Sequence, residues 1–125
     1  MTTLALQSAG GLVYAARGLA NIISSRGLNT RASGICYSAC TIVFMAGEKR
    51  SMSANGELGF HQYAVDSHGY VPMLDSVDEL DTDRQSFLKR GVQAEFLAHI
   101  DRESADGMWI PARGTLREAG VINAR

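Results

Sequence analysis

Proline and cysteine are nearly missing, two of each in 125 residues. Two cysteines make at most one bridge, so a disulfide-framework fold is excluded, and no second Cys/His cluster stands at zinc spacing. Neither sign of charge is in surplus: the 12 Lys and Arg meet 13 Asp and Glu, for a formal net charge of −1. The basic residues are scattered, which argues against a footprint for nucleic acid or an anionic membrane. No apolar run nears the ~20 residues that span a bilayer. The opening Met1-Thr2-Thr3-Leu4 lacks the basic start and long apolar stretch of a secretory signal and reads as the beginning of a strand. Localisation stays undetermined, cytoplasmic by default and periplasmic if the natural chain starts earlier. No repeat, low-complexity tract or linker divides the chain, so one small domain over 1–125 is expected. What is present is 46% hydrophobic and 20% charged residues, the composition of a protein with a real core.

The pattern along the chain alternates strand and helix. Thr2 to Leu6 is short and β-prone, runs into Ser8-Ala9-Gly10-Gly11, and is followed by helical spacing of Leu12, Ala16, Leu19, Ala20 and Ile23, with Gly27 as the stop. Asn29 to Ala32 predicts a second strand, ending before Gly34. Ser38 to Ala46 predicts a helix apolar on all faces, hence buried. Lys49–Ser53 and Glu57–Phe60 predict two short strands around Ala54-Asn55-Gly56. Val65 to Leu74 reads as a loop. Ser76 and Glu79 have capping-box spacing and predict one long helix to about Arg102, interrupted by Gly91, with Val77, Leu80, Leu88, Val92, Phe96 and Ile100 inward. A last short helix is expected over Gly114 to Ala119. The order β-α-β-α-β-β and then α-α argues for an α/β fold, a parallel sheet covered by helices with right-handed crossovers.

Three places could carry chemistry. In Gly34-Ile35-Cys36-Tyr37-Ser38-Ala39-Cys40 a serine opens a buried helix, where it is held rigidly beside free N–H groups able to stabilise an oxyanion. The bland reading is a helix N-cap, a position serine favours. His61 follows directly on a predicted strand, a place that presents an imidazole whose unperturbed pKa of ~6.5 suits a base; a satisfied structural histidine is the alternative. His68 and His99 are given structural or exposed roles. Gly10-Gly11 could aim backbone N–H groups at the same point, because two adjacent parallel βα junctions share one sheet edge, or could be a tight turn only. Cys36 and Cys40 stand within reach of a disulfide, and are read first as small core residues.

Those residues resemble a known family. Leu6-Gln7-Ser8-Ala9-Gly10-Gly11 is similar to the glycine-bearing junction of the Clp protease proteolytic subunits. Gly34 to Gly47 is similar to their nucleophile segment, and Phe60-His61-Gln62 to their apolar-His-Gln triplet. The Cys-Tyr-Ser-Ala-Cys variant looks closest to a divergent bacterial branch of predicted periplasmic Clp-like proteins. The resemblance implies a Clp-protease/crotonase fold, a superhelix of β-β-α units here lacking the N-terminal unit. It implies a serine peptidase with Ser38 as nucleophile, His61 as base, and the N–H groups of Gly11 and Ala39 as oxyanion hole. Asp106 is the implied orienting carboxylate, with Asp101 in reserve. No metal or organic cofactor is implied. A peptide or protein is the implied substrate, and self-association the implied assembly. Ala9 stands where the family has proline, and nothing resembles the loops that engage an unfoldase, so that partner is not expected. Two other readings use the same fold: a non-catalytic binding or assembly module, and a crotonase-type enzyme acting on acyl-CoA thioesters.

Overall fold

The computed structural model describes residues 2–11, 13–60, 76–102 and 107–125. They form β1 (Thr3–Ser8), α1 (Val13–Arg26), β2 (Asn29–Tyr37), α2 (Ala39–Met45), β3 (Arg50–Met52), β4 (Glu57–Gly59), α3 (Ser76–Lys89), α4 (Ala94–Arg102) and α5 (Arg113–Glu118). The strand pairs are all parallel. β1 runs beside β2 from Thr3↔Asn29 to Leu6↔Ala32 and, after a register shift, to Ser8↔Cys36. The opposite edge of β2 is shared: β3 takes Thr30 to Ala32 and β4 takes Ile35 to Tyr37. Parallel pairs need crossovers, and α1 and α2 supply the first two.

β2 is longer than the sequence suggests, because it continues through Gly34 to Tyr37. Gly34 is not a turn. A Cβ there would lie 2.8 to 3.1 Å from side-chain atoms of Gln7 on the neighbouring strand, so glycine leaves room for that side chain to lie across β2.

α2 has only seven residues, too few to hold as a helix alone. Burial supplies the difference. Ile42, Val43, Phe44 and Met45 are all buried, each contributing about 1.5–3 kcal/mol as an upper estimate. The helix is apolar all round because it separates two clusters. Ala39, Ile42, Val43 and Ala46 face α1 residues Ala16 and Ile23. Cys40, Phe44 and Met45 face Leu58, Phe60, Phe96 and Leu116. Fully buried Thr30 donates its hydroxyl to the Phe44 carbonyl at 2.7 Å, tying β2 to the helix end.

The single helix expected over 76–102 is two helices. After Lys89 the Gly91 N–H bonds the Leu88 carbonyl and the Val92 N–H bonds the Phe87 carbonyl, with Gly91 at φ 93°. That pair of bonds is a Schellman stop, which requires a left-handed residue and so glycine. The break resets the buried face. Val92 and Phe96 are buried as expected and Ile100 is partly so, but Leu88 is 40% exposed, and Phe87 packs inward in its place. The side chains of Val77 and Leu80 lie outside those described. Arg17 grips Asp83 with two donors, Nε at 3.0 Å and Nη2 at 2.7 Å, joining α1 to α3.

Arg50 is 1% exposed without a carboxylate partner among its bonds in the core. Its Nε donates to the Val121 carbonyl (2.9 Å), Nη1 to Gly47 (2.9 Å), and Nη2 to Arg90 (3.0 Å) and Gly120 (2.9 Å). These carbonyls follow the ends of α2, α3 and α5. Helix ends leave carbonyls unpaired and carry partial negative charge, so one guanidinium satisfies three of them at once. Burial and then the nearby Arg90 push its pKa down to about 10, which still leaves it charged at neutral pH.

Candidate active site

Ser38 joins the end of β2 to the start of α2. Among the described residues it is the only non-glycine with positive φ, at φ 57° and ψ −119°. Such a conformation costs on the order of 1–3 kcal/mol and persists only where the surroundings over-determine it. They do here. The Ser38 N–H donates to the Gly59 carbonyl at 2.9 Å, and the Ser38 carbonyl accepts from the Thr41 N–H (2.9 Å) and the Thr41 hydroxyl (2.6 Å). The side chain makes no capping bond to the helix, which removes the bland reading of this serine as an N-cap. A serine at a strained strand-to-helix turn, with its hydroxyl not spent on capping the helix, is similar in backbone placement to a nucleophile elbow.

Cys36 and Cys40 are bridged, with Cα atoms 5.1 Å apart. This corrects their reading as separate small core residues, although both are buried. The spacing of four places one cysteine at the end of the strand and the other on the first turn of the helix, so the elbow folds them together. On the chain-entropy account a loop this short adds about 2 kcal/mol, comparable to the backbone strain at Ser38.

The glycine junction lies against the elbow. Gly10 has φ +126°, and a Cβ on it would meet Ser38 Cβ at 3.3 Å and Ser38 Oγ at 3.8 Å. Only glycine suits both the angle and the approach. The turn is fixed by Ser8, whose hydroxyl accepts from the Gly10 N–H at 3.1 Å and donates to the Gly10 carbonyl at 3.0 Å. Gly11 and Ala39 line one open groove of about 390 Å³, together with Gly10, Cys40, Leu19 and Val43. Ala39 is the first residue of α2, so its N–H has no partner inside the helix.

His61 and Asp106 lie outside the described residues, and the side chain of Asp101 is not among those described. Their described neighbours are joined. Phe60 and Trp109 exchange two backbone hydrogen bonds, at 2.9 and 2.8 Å, in an antiparallel bridge. Phe96 packs on both rings, edge-on to Phe60 at 5.1 Å and tilted to Trp109 at 5.0 Å. Gly59 pairs with Tyr37, so β4 passes the elbow immediately before Phe60. His99 stacks flat on Trp109 with centroids 3.6 Å apart. Tyr37 donates to Glu57 at the surface, and that bond raises its pKa above the usual tyrosine value. Among the described residues no group of three or more His, Cys, Asp or Glu is placed to hold a metal ion. No described helix is long and apolar enough to cross a membrane.

No family model matches the chain, and no curated protein matches it. Solved structures do. ClpP1 from Listeria monocytogenes superposes with a TM-score of 0.75 at 18% identity, over 98% of this chain and 71% of that one. Its N165D mutant gives a TM-score of 0.71 at 20% identity with the same coverage. The chain therefore has a ClpP-like fold, as the resemblance implied, with the parallel sheet that the order of strands and helices implied.

Proposed function

We propose that this chain is a serine hydrolase of peptide bonds. The observation that carries the reading is Ser38, strained at a strand-to-helix elbow, uncapped, and packed against Gly10. In the proposed reaction Ser38 Oγ attacks the peptide carbonyl while His61 takes its proton. The N–H groups of Gly11 and Ala39 receive the oxyanion. His61 then protonates the leaving amine, and water, activated by the same imidazole, releases the acyl group. Asp106 orients the imidazole, with Asp101 as the reserve, and no cofactor takes part. The divergent periplasmic branch is the proposed kinship, resting on Cys36-Tyr37-Ser38-Ala39-Cys40. Self-association is proposed from the fold alone: among the described residues β1 has a strand on one side only, and none of its residues is fully buried.

The test is labelling by a fluorophosphonate probe, read by intact mass, for the wild-type chain, Ser38→Ala and His61→Ala. Labelling of the wild type alone, with both variants folded, supports the reading. A folded wild-type chain that takes no label overturns it in favour of a binding or assembly module.

A further inference from the structure

The disulfide surrounds the residue on which the proposed chemistry depends. Cys36 is the last-but-one residue of β2 and Cys40 the second of α2, so their bridge closes a loop around Tyr37, Ser38 and Ala39. The other ties on the elbow are the hydrogen bonds to Gly59 and Thr41. Cys36 is fully buried, whereas Cys40 lines the groove shared with Gly10, Gly11 and Ala39. Both are buried, but Cys40, at 7% exposure, borders the groove while packing against the core, and Cys36 has no exposed surface at all.

We propose that the Cys36–Cys40 bridge is a redox site, reached through this groove by a dithiol reductant, and that its state sets the reactivity of Ser38. The inference rests on the reading of Ser38 as nucleophile. In the first step a thiolate of the reductant attacks sulfur of Cys40. The Cys36–Cys40 bond breaks, and Cys36 leaves as a thiolate that takes a proton. The second thiol of the reductant then attacks the mixed disulfide, closing the reductant's own disulfide and releasing Cys40 as a thiol. Two electrons and two protons pass to the protein, and the dithiol is oxidised. Burial of Cys36 disfavours its thiolate and makes the exchange slow.

Reduction cannot leave the elbow as it was. Bonded sulfurs stand ~2 Å apart, and non-bonded atoms of that size need at least ~3.5 Å. Cys36 is sealed in the core at 0% exposure, so the separation has to be taken up on the Cys40 side, at the groove and the first turn of α2. The movement falls on that turn, next to which Ser38 is held in its disfavoured conformation.

The experiment compares the oxidised and dithiol-reduced wild-type chain, with thiol content confirmed by mass. Two measurements are made: the fluorophosphonate labelling rate, and hydrogen exchange of the amides from Tyr37 to Thr41. Expected is a fall in labelling of at least about tenfold on reduction, with exchange faster in that segment and the sheet amides of β2 still protected. A Cys36→Ala/Cys40→Ala chain should behave as the reduced form under both conditions. Equal labelling in the two redox states overturns the proposal while leaving Ser38 as nucleophile. Should neither state label, the reading of Ser38 fails, and the proposal that the bridge sets its reactivity falls with it. In that case exchange alone decides whether the bridge clamps the elbow. Loss of the whole fold on reduction also overturns the proposal, because the bridge is then a general staple.

Discussion

Ser38 and Arg50 stand 12 positions apart and are built on opposite terms. At Ser38 the backbone is strained and the side chain is left without a helix-capping bond. At Arg50 four of the five guanidinium N–H donors meet backbone carbonyls, and the backbone of the same residue is bonded to Asn123 and Ala124. A reactive side chain has to be presented unsatisfied, whereas a buried cation survives only when its donors are met. The contrast teaches where each element of the fold spends its contacts. β2 and α2 hold a strained turn in place, while β3 and three helix ends close around a charge.

The comparison is sharpened first at the serine. Ser38→Ala should reduce fluorophosphonate labelling and peptide hydrolysis by on the order of 10⁴-fold or more, with thermal unfolding little changed. Ser38→Gly should lose activity equally yet raise stability by about 1 kcal/mol in denaturant titration, since glycine relieves the positive φ. A stability loss in Ser38→Gly would show that the elbow is not strained. At the other pole, Arg50→Met should cost about 4 kcal/mol, because it strands several buried carbonyls, and should lower the chemical-unfolding midpoint without a specific effect on labelling of the folded fraction. Gly10→Ala tests the contact between junction and elbow. It should slow labelling by about tenfold and cost about 1–2 kcal/mol, from the strained φ and the crowding of Ser38. The smallest effect belongs to Tyr37→Phe, which removes only the hydroxyl bonded to Glu57 and should leave the unfolding midpoint nearly unchanged. An ultraviolet titration should find the Tyr37 phenol losing its proton at higher pH than a free tyrosine. Its folded pKa is raised, so the contribution of its bond to Glu57 is present below the ordinary tyrosine pKa and is lost as pH rises through the folded value.

Periodicity carried the elements that burial dictates. α2 is legible because Ile42-Val43-Phe44-Met45 offers no polar face, and α1 because its spacing and Gly27 agree. Gly91 held the same signal as Gly27, but the periodic stripe continuing to Phe96 concealed a stop that the backbone bonds make plain. Gly34 misled in the other direction, since a glycine that admits a neighbouring side chain looks in sequence like one that makes a turn. At the site, Ser38 and Gly10 could be singled out, since helix onset and paired glycines are local features. The bridge between Cys36 and Cys40 depends on the angle between strand and helix, which spacing does not encode. Arg50 left no trace at all: its partners come from positions 47, 90, 120 and 121, and any cation at the start of a short strand reads as surface.

Those partners also impose a timetable. A ribosome delivers Gly120 and Val121 some 70 residues after Arg50, so until those two positions emerge the guanidinium lacks two of its four carbonyl acceptors. Burying Arg50 before they arrive would leave two of those bonds unmade, a cost that favours leaving the guanidinium in water until then. Arrival of Gly120 and Val121 then completes the set of acceptors, which couples burial of the charge to the stretch that follows α5.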